Sequence, residues 1–557
     1  MFLPPRCVRH PLAVAVASAS VSLLTSGQAQ AIDLNFDPES DWSGQLDVTL
    51  GYATSFRAQD RDPDIVGLGQ NDLSELRVPD KGDRISQVFS AAFELGLDWR
   101  NYGLNASAVY QHDTEIMSGD SIDPLSTTTF GGVGGGSNDW SDAAEDHAGN
   151  TLDLLDAYVY GSFELADNPL EVRVGKQVIN WGEGLFFLDG IGVQVPLNVN
   201  KLTTPGSELK HAYIGNNAFY AQLGVGDESS IEAYIQTEWN RAEMPPQGTF
   251  YGVDPLYRGG SEKIQGSGAA LGLPGDVSYR DGDDEASDSG QWGVSGRTVL
   301  GDTEVGLYYS RYHETFAFAE STFDATAFGA SGGAVCSFTS ALCARHIWPE
   351  DLDMLGASFA TTLAGIAVAG EIAFRPDRPL MNLNAGVGAF GAAAGSQSIE
   401  EHDTLSASVN AIWLGRGGFA GIDSQQVIAQ FGVDHIGGDT SNLTPHNSVS
   451  RDKNNHNLAT TKTADSTAYG VAVQWEGTWQ AVRPATDLTL SVFVQHDING
   501  ISHFYGNFAE GRTQVATTLT ADIGSEWEAS LGYIYVDHEE SDYEDLDSIN
   551  FSVNYKF

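Results

Sequence analysis

The sequence predicts an all-β protein, a transmembrane antiparallel β-barrel of the outer membrane with about eighteen strands, or about sixteen as the alternative. Three observations carry this. Short segments alternate apolar and polar residues strictly. The connections between them alternate between tight turns and long polar loops. Beyond the first residues, no segment approaches the roughly 18 uninterrupted apolar residues that a transmembrane helix needs.

The alternation is clearest at the end of the chain. Ile549, Phe551, Val553, Tyr555 and Phe557 share one face, and Ser548, Asn550, Ser552, Asn554 and Lys556 the other. Period two with one apolar face is a half-buried strand. A last strand that closes on an aromatic residue also resembles the assembly signal of bacterial outer-membrane barrels. Upstream, Leu46, Val48, Leu50 and Tyr52 repeat the pattern, as do Phe93, Leu95, Leu97 and Trp99, and Leu488, Leu490 and Val492. The same criterion gives strands at 45–55, 85–99, 102–113, 152–165, 170–180, 217–226, 229–240, 290–300, 303–313, 352–361, 366–375, 402–413, 424–435, 466–478, 486–497, 511–522, 526–538 and 547–557.

Tight turns at Arg100–Gly103, Ala166–Pro169 and Gly226–Ser229 alternate with long connections. A barrel explains this by placing short turns on the periplasmic rim and long loops outside, with an even strand number returning Phe557 to the periplasm. A soluble sandwich or propeller has no reason to alternate loop lengths. The first residues supply the export route. Arg6, Arg9 and His10 precede the apolar run Pro11–Thr25, and Ala29-Gln30-Ala31 offers a small-x-small cleavage site. Residues 1–31 therefore read as a cleaved signal peptide and 32–557 as a single barrel domain in the cell outer membrane.

The formal net charge of −47 excludes a nucleic-acid partner. It does not signal disorder, since 41% of residues are hydrophobic and 11 Trp, 20 Tyr and 26 Phe are present. The acids gather in the long connections, at 57–84, 137–156, Asp281–Asp288 and Asp537–Asp547. They read either as solvated loop tips or as groups that hold divalent ions between loops and lipopolysaccharide. Neither Asp281–Asp288 nor Asp537–Asp547 has the spacing of an EF-hand calcium loop. Cys7 leaves with the leader, so Cys336 and Cys343 are expected to form a disulfide closing a small loop. No metal or cofactor is implied.

Catalytic constellations are absent from the pattern. There is no G-x-S-x-G in a strand-turn-helix setting and no H-E-x-x-H. His496, His503 and His538 fall at strand ends or in loops. No catalytic residue is assigned, and the chain is not expected to be an enzyme.

The lumen is then the place to look. Glu171, Arg173, Gly175 and Gln177 alternate with Leu170, Val172 and Val174, which sends Arg173 and Gln177 inward. Lys176 falls on the lipid parity, so it either snorkels from near the interface or is re-aimed by a bulge at Gly175. Further along, Ile372 and Phe374 face lipid while Glu371 and Arg375 face the lumen.

The stretch "RVGKQVINWGE" at Arg173–Glu183, with "GEIAFRPDRP" at Gly370–Pro379 and the export signal, resembles a proteobacterial outer-membrane family. That family is catalogued as Domain of Unknown Function thirteen hundred and two. The resemblance runs from the first strand to Phe557. It implies a barrel that accompanies an outer-membrane lipoprotein and an inner-membrane transporter of the resistance-nodulation-division type, in settings of hydrophobic-compound or steroid metabolism.

After the first motif, Leu185–Asn216 is long and substantially apolar. It is expected to be a lumenal plug or a lid, with 182–210 as its body, or else an extracellular loop packed on its neighbours. The functional expectation is a porin-like channel for passive passage of a small hydrophobic or amphipathic organic solute. Arg173, Gln177, Trp181, Glu183, Phe186, Phe187, Glu371 and Arg375 are the constriction candidates. The alternative is a structural barrel that partners a lipoprotein without transport, and a barrel hydrolase is the remote one.

Overall fold

The computed structural model describes residues 32–35, 40–60, 80–118, 145–246, 249–251, 263–264, 278–280, 283–323, 342–382, 398–443, 463–504, 506–538 and 546–557. Its frame is a closed antiparallel barrel of 18 strands. In chain order these are β1 Trp42–Arg57, β2 Arg84–Trp99, β3 Tyr102–Asp113, β4 Asn150–Leu165, β5 Asn168–Gln177 and β6 Asn216–Val225. Next come β7 Ser229–Gln236, β8 Trp292–Leu300, β9 Thr303–Tyr312, β10 Leu352–Leu363, β11 Ile366–Asn382 and β12 Ser398–Arg416. The last are β13 Ser424–Ile436, β14 Thr467–Arg483, β15 Thr486–Asn499, β16 Thr513–Ile523, β17 Trp527–Asp537 and β18 Ser548–Lys556. Each strand pairs with its sequence neighbours, and β18 pairs with β1 from Thr49↔Lys556 to Arg57↔Ser548, which closes the ring. Four short strands, Lys263–Ile264, Ser278–Arg280, Phe318–Phe323 and Leu342–Ile347, form a small separate sheet among the long connections.

Every strand read from the sequence is present. The largest difference is β11, which the sequence ends at 375 and the structure carries on to Asn382. Pro376 has no N–H for the ladder, so it argues for a strand end. Here it sits in a bulge instead: the register with β12 shifts between Arg375 and Arg378, and Asp377 takes a φ of 48°. The extra residues absorb the proline and leave Arg375 and Arg378 both buried inside.

One rim carries the tight turns. Ala166–Asp167 turns with φ of 51° and 67°, and Ala364–Gly365 with 52° and 83°. Two successive positive φ values match the right-handed twist of the flanking strands in a two-residue hairpin. Outside, the apolar parity is exposed: Leu50, Phe93, Val159, Phe219, Ile235, Leu307, Leu355, Ile372, Val409 and Leu519 form a belt. Aromatic contacts border it on the tight-turn side, where Trp42 stacks on Trp99 at 5.7 Å and Trp527 meets Tyr555 at 4.7 Å. On the far side Trp292 meets Tyr309 at 5.1 Å and Phe431 meets Tyr469 at 6.0 Å. An apolar band between two aromatic girdles is what a bilayer-spanning barrel presents to lipid.

The core lies inside the barrel. Inward-facing Tyr220, Tyr234, Tyr308, Tyr312, Met354 and Ala373 pack with Ile179, Trp181, Ile191 and Val193 from the connection between β5 and β6. The segment that builds that core, 178–215, also carries most of the site candidates.

Candidate functional site

The wall hands the chain inward at the end of β5. Gly175 has a φ of 130°, and a side chain there would collide with the Ala157 carbonyl. The β4–β5 ladder nevertheless runs without a register shift to Ala157↔Lys176, so Lys176 keeps the outward parity of Val174. Its Nζ lies 3.6 Å from Glu238, and its side chain is only 17% exposed. No bulge re-aims it. Arg173 faces inward, pairs with Glu171 at 2.6 Å and lies over the Tyr158 and Tyr220 rings at 5.7 and 5.1 Å. Gln177 is buried and donates to the Ala218 carbonyl at 3.1 Å. Trp181 is buried too, its Nε1 donating to Glu232 at 2.9 Å, and Tyr220 donates to the same oxygen at 3.0 Å.

Beyond Trp181 the segment crosses to strands on the other side of the ring. The inward carboxylate of Glu371 on β11 accepts the Gly184 N–H at 3.0 Å, the Ile191 N–H at 3.1 Å and the Glu183 N–H. Gln430 on β13 accepts the Leu185 and Phe186 N–H groups at 3.2 and 2.5 Å, and Asn410 on β12 donates to the Glu183 carbonyl at 2.6 Å. Asn507 exchanges two 2.9 Å hydrogen bonds with the backbone of Leu188. These acceptors and donors do for an irregular backbone what a ladder does for a strand, and they let it lie at membrane depth. Phe186 packs on Phe493 at 5.3 Å and Phe187 on Phe508 at 4.8 Å.

At the tip of this crossing Asp189 is fully buried, with a φ of 68°. Its carboxylate takes Arg378 at 2.7 Å, Arg375 at 3.4 Å, His503 at 3.5 Å and the Ser406 hydroxyl at 2.8 Å. Arg375 also donates to the Asp189 and Gly190 carbonyls at 2.9 and 2.5 Å, and Arg378 pairs with Glu314 at 2.9 Å. Burial would raise the Asp189 carboxyl, but the two guanidiniums beside it hold it well below the usual carboxylate range. Glu183 goes the other way. Burial outweighs the attraction of Arg297, Glu371 and Glu304 add repulsion, and its carboxyl is pushed up to about 7.

The second half of the segment is fixed differently. The short helix Val199–Thr203 is capped by Asn198, whose side chain accepts the Lys201 N–H at 3.1 Å. The Lys201 side chain is wholly buried against β3 and β4, with Nζ 2.8 Å from Asp153 and from the Thr151 hydroxyl and bonded also to Gln111. Gly206 abuts Ala53 on β1 and Ser552 on β18. Between residues 202–208 and the tight-turn rim lies a cavity of about 500 Å³. Thr518, Ser530, Asn550 and Ser552 line it together with Asp487, Asp522, Glu528 and Lys556, the last two paired at 2.7 Å.

Of the candidates read from the sequence, Glu183, Phe186, Phe187, Glu371 and Arg375 gather at the crossing, whereas Arg173, Gln177 and Trp181 stay on the β5–β7 wall. The sequence does not single out Asp189, Lys201, Glu314, Arg378, Gln430 or Asn507, and it offers His503 only as a histidine at a strand end or in a loop. A lone acid in the apolar run "LFFLDGIG" and the second arginine of "RPDRP" were the available signals for Asp189 and Arg378. Cys336, residues 1–31 expected to form a leader, and much of the acidic runs lie outside the described residues, as does the side chain of Cys343. Among the described residues no group of three His, Cys, Asp or Glu side chains is placed to hold a metal ion. Ser287 approaches His313 Nε2 at 3.4 Å, but His313 Nδ1 accepts the Asp351 N–H at 2.9 Å. Its proton is therefore on Nε2, which donates to the Ser289 carbonyl at 2.9 Å instead of serving as a base for Ser287.

Fold and belt together define the class: a transmembrane β-barrel of the outer-membrane type, with a segment of its own chain packed inside. Residues 12–557 match the family described as "Protein of unknown function (DUF1302)", and the chain belongs to that family. No curated protein matches. Among solved structures, the chain is similar to Acinetobacter baumannii OccAB4 (9% identity, 96% of this chain and 100% of that one, TM-score 0.41). It is also similar to Acinetobacter baumannii OccAB1 (9%, 95% and 98%, 0.41) and to Pseudomonas putida OprB (11%, 93% and 94%, 0.36).

Proposed function

We propose that the protein is an outer-membrane, porin-like channel through which a small amphipathic organic solute passes passively. Segment 182–210 is its constriction, and Arg173, Gln177, Trp181, Glu183, Phe186, Phe187, Glu371 and Arg375 line or hold the narrow part. The observation that carries the reading is the cavity of about 500 Å³ under residues 202–208. A barrel with a purely structural role has no reason to leave that volume unfilled when its other side is packed like a protein interior. The cavity's walls mix hydroxyls and carboxylates with the apolar Leu202 and Ala516, which suits a solute with an apolar body and polar edges.

The test is conductance of the purified chain in planar bilayers, beside a variant lacking 199–210. Small openings in the full chain and much larger ones in the variant are expected. A barrel silent in both forms overturns the reading. It would favour the second reading, a structural barrel partnering an outer-membrane lipoprotein, for which the apolar packing beside β6–β11 speaks. The resistance-nodulation-division transporter implied by the family resemblance would act on solute at the tight-turn rim.

A further inference from the structure

We propose that the barrel wall is interrupted beside β4, and that this gap is a lateral portal taking an uncharged amphiphile between the outer leaflet and the barrel interior. The proposal rests on the channel reading above only for the inner end of the route.

The ladder places the gap. β4 and β5 pair from Leu165↔Asn168 up to Ala157↔Lys176 and no further. β4 runs on to Asn150, paired with β3 on both sides of a bulge at Leu155, but among the described residues no strand pairs with Asn150–Asp156 on its other side. The chain that would have covered it turns into the lumen after Gln177. Closed sheets tolerate no such edge at membrane depth unless something fills the missing place.

A cavity of about 760 Å³ occupies that place. Outward-facing Leu152 and Leu154 line it, and so do His211, Trp239 and Arg241, which are buried within the barrel. One cavity lined by both sets crosses the wall. Leu152, 74% exposed, is the most exposed large apolar side chain described, and it is paired in register with the exposed Tyr110. The outer mouth therefore lies on the apolar belt near its aromatic edge.

The lining selects the occupant. Leu152, Leu154, Leu155, Ile214 and Trp239 offer an apolar face. The two cations are already engaged, Lys176 with Glu238 at 3.6 Å and Arg241 with Glu285 at 3.1 Å. Glu243 and Asp288 add further acid, so a carboxylate or phosphate is repelled. The side-chain oxygens of Asn217 and Asn240 and the Nε2 of His211 remain to hydrogen-bond an uncharged polar end, the two amide nitrogens already donating to Glu238 and to Asn216. The outward Lys176 thus stands at the mouth of the gap, largely shielded from lipid.

Photolabelling of the full chain in phospholipid vesicles tests this, with a monoacylglycerol carrying a diazirine in its acyl chain. Label is expected at least five-fold denser on Leu152–Leu155, Ile214 and Trp239 than on belt residues Leu307 and Leu355. The pair L154W and I214F is expected to remove that excess and leave bilayer conductance unchanged. Even labelling around the belt in the unaltered chain overturns the portal. Equal labelling by the matching diazirine fatty acid overturns its preference for an uncharged head. Concentrated label on a chain silent in bilayers upholds the portal and sinks only the lumenal channel.

Discussion

The two sides of the lumen are built from different side chains on the same alternating frame. Along β6–β11 the inward positions hold Tyr220, Tyr234, Tyr308, Tyr312, Met354 and Ala373, and the inner segment packs on them as a hydrophobic core. Along β16–β18 they hold Thr518, Thr520, Ser530, Gly532, Ser552 and Asn554, and the same segment passes over them and leaves a cavity. Strand number fixes the diameter of a barrel, but the size and polarity of the inward residues fix how much of it is solid.

This contrast can be broken most forcefully at Asp189. D189N leaves Arg375 and Arg378 buried beside an uncharged amide, and loss of one partner of a buried ion pair costs about 3–5 kcal/mol. Urea unfolding in detergent should show that loss, and protease should gain access to 184–206. E371Q is milder, because its amide oxygen still accepts from Glu183 and Gly184 without the charge, while its NH2 takes the place of the oxygen that accepts from Ile191 and leaves that N–H without a partner. Charge-assisted hydrogen bonds of this kind are worth about 1.5–3 kcal/mol. Conductance should rise while the belt and barrel persist. K201M frees the half of the segment that roofs the cavity. It leaves the buried Gln111 without its partner, a loss of about 1–2 kcal/mol with a several-fold gain in conductance.

A pH series sharpens the comparison without mutation. The Glu183 carboxyl rises from its ordinary 4.5 to about 7 when the segment is docked, so the docked form binds a proton that the released form gives up. Docking is then strongest below about pH 4.5, weakens as the pH climbs to about 7, and is flat above. Open probability should increase across that window, and E183Q should flatten it. The smallest effect is expected on the hollow side. T518V meets space instead of packing, so its stability should stay within about 0.5 kcal/mol of the unaltered chain. T518A and T518V that destabilise as much as a core substitution would show that this side is packed after all.

The frame was legible because period-two alternation and loop length are local signals, and they place all the strands without knowledge of what touches what. The inner segment was legible as an apolar run too large to leave in water, but its anchors were only partly so. Glu371 and Arg375 declared themselves by inward parity. Arg378 did not, because a bulge at Pro376 and Asp377 changes the parity count, and bulges have no periodic signature. Asp189, Gln430 and Asn507 act through contacts hundreds of residues apart in sequence, which only the closed ring brings together.

Gly206 rests on Ala53 and Ser552, and these lie on the first and last strands, whose pairing closes the ring. No surface exists for it to rest on until the final strand of the chain has been made and has found the first. The inner segment is synthesised long before that, so its seating waits on the seam. Filling the interior and finishing the wall are, in order of assembly, one event.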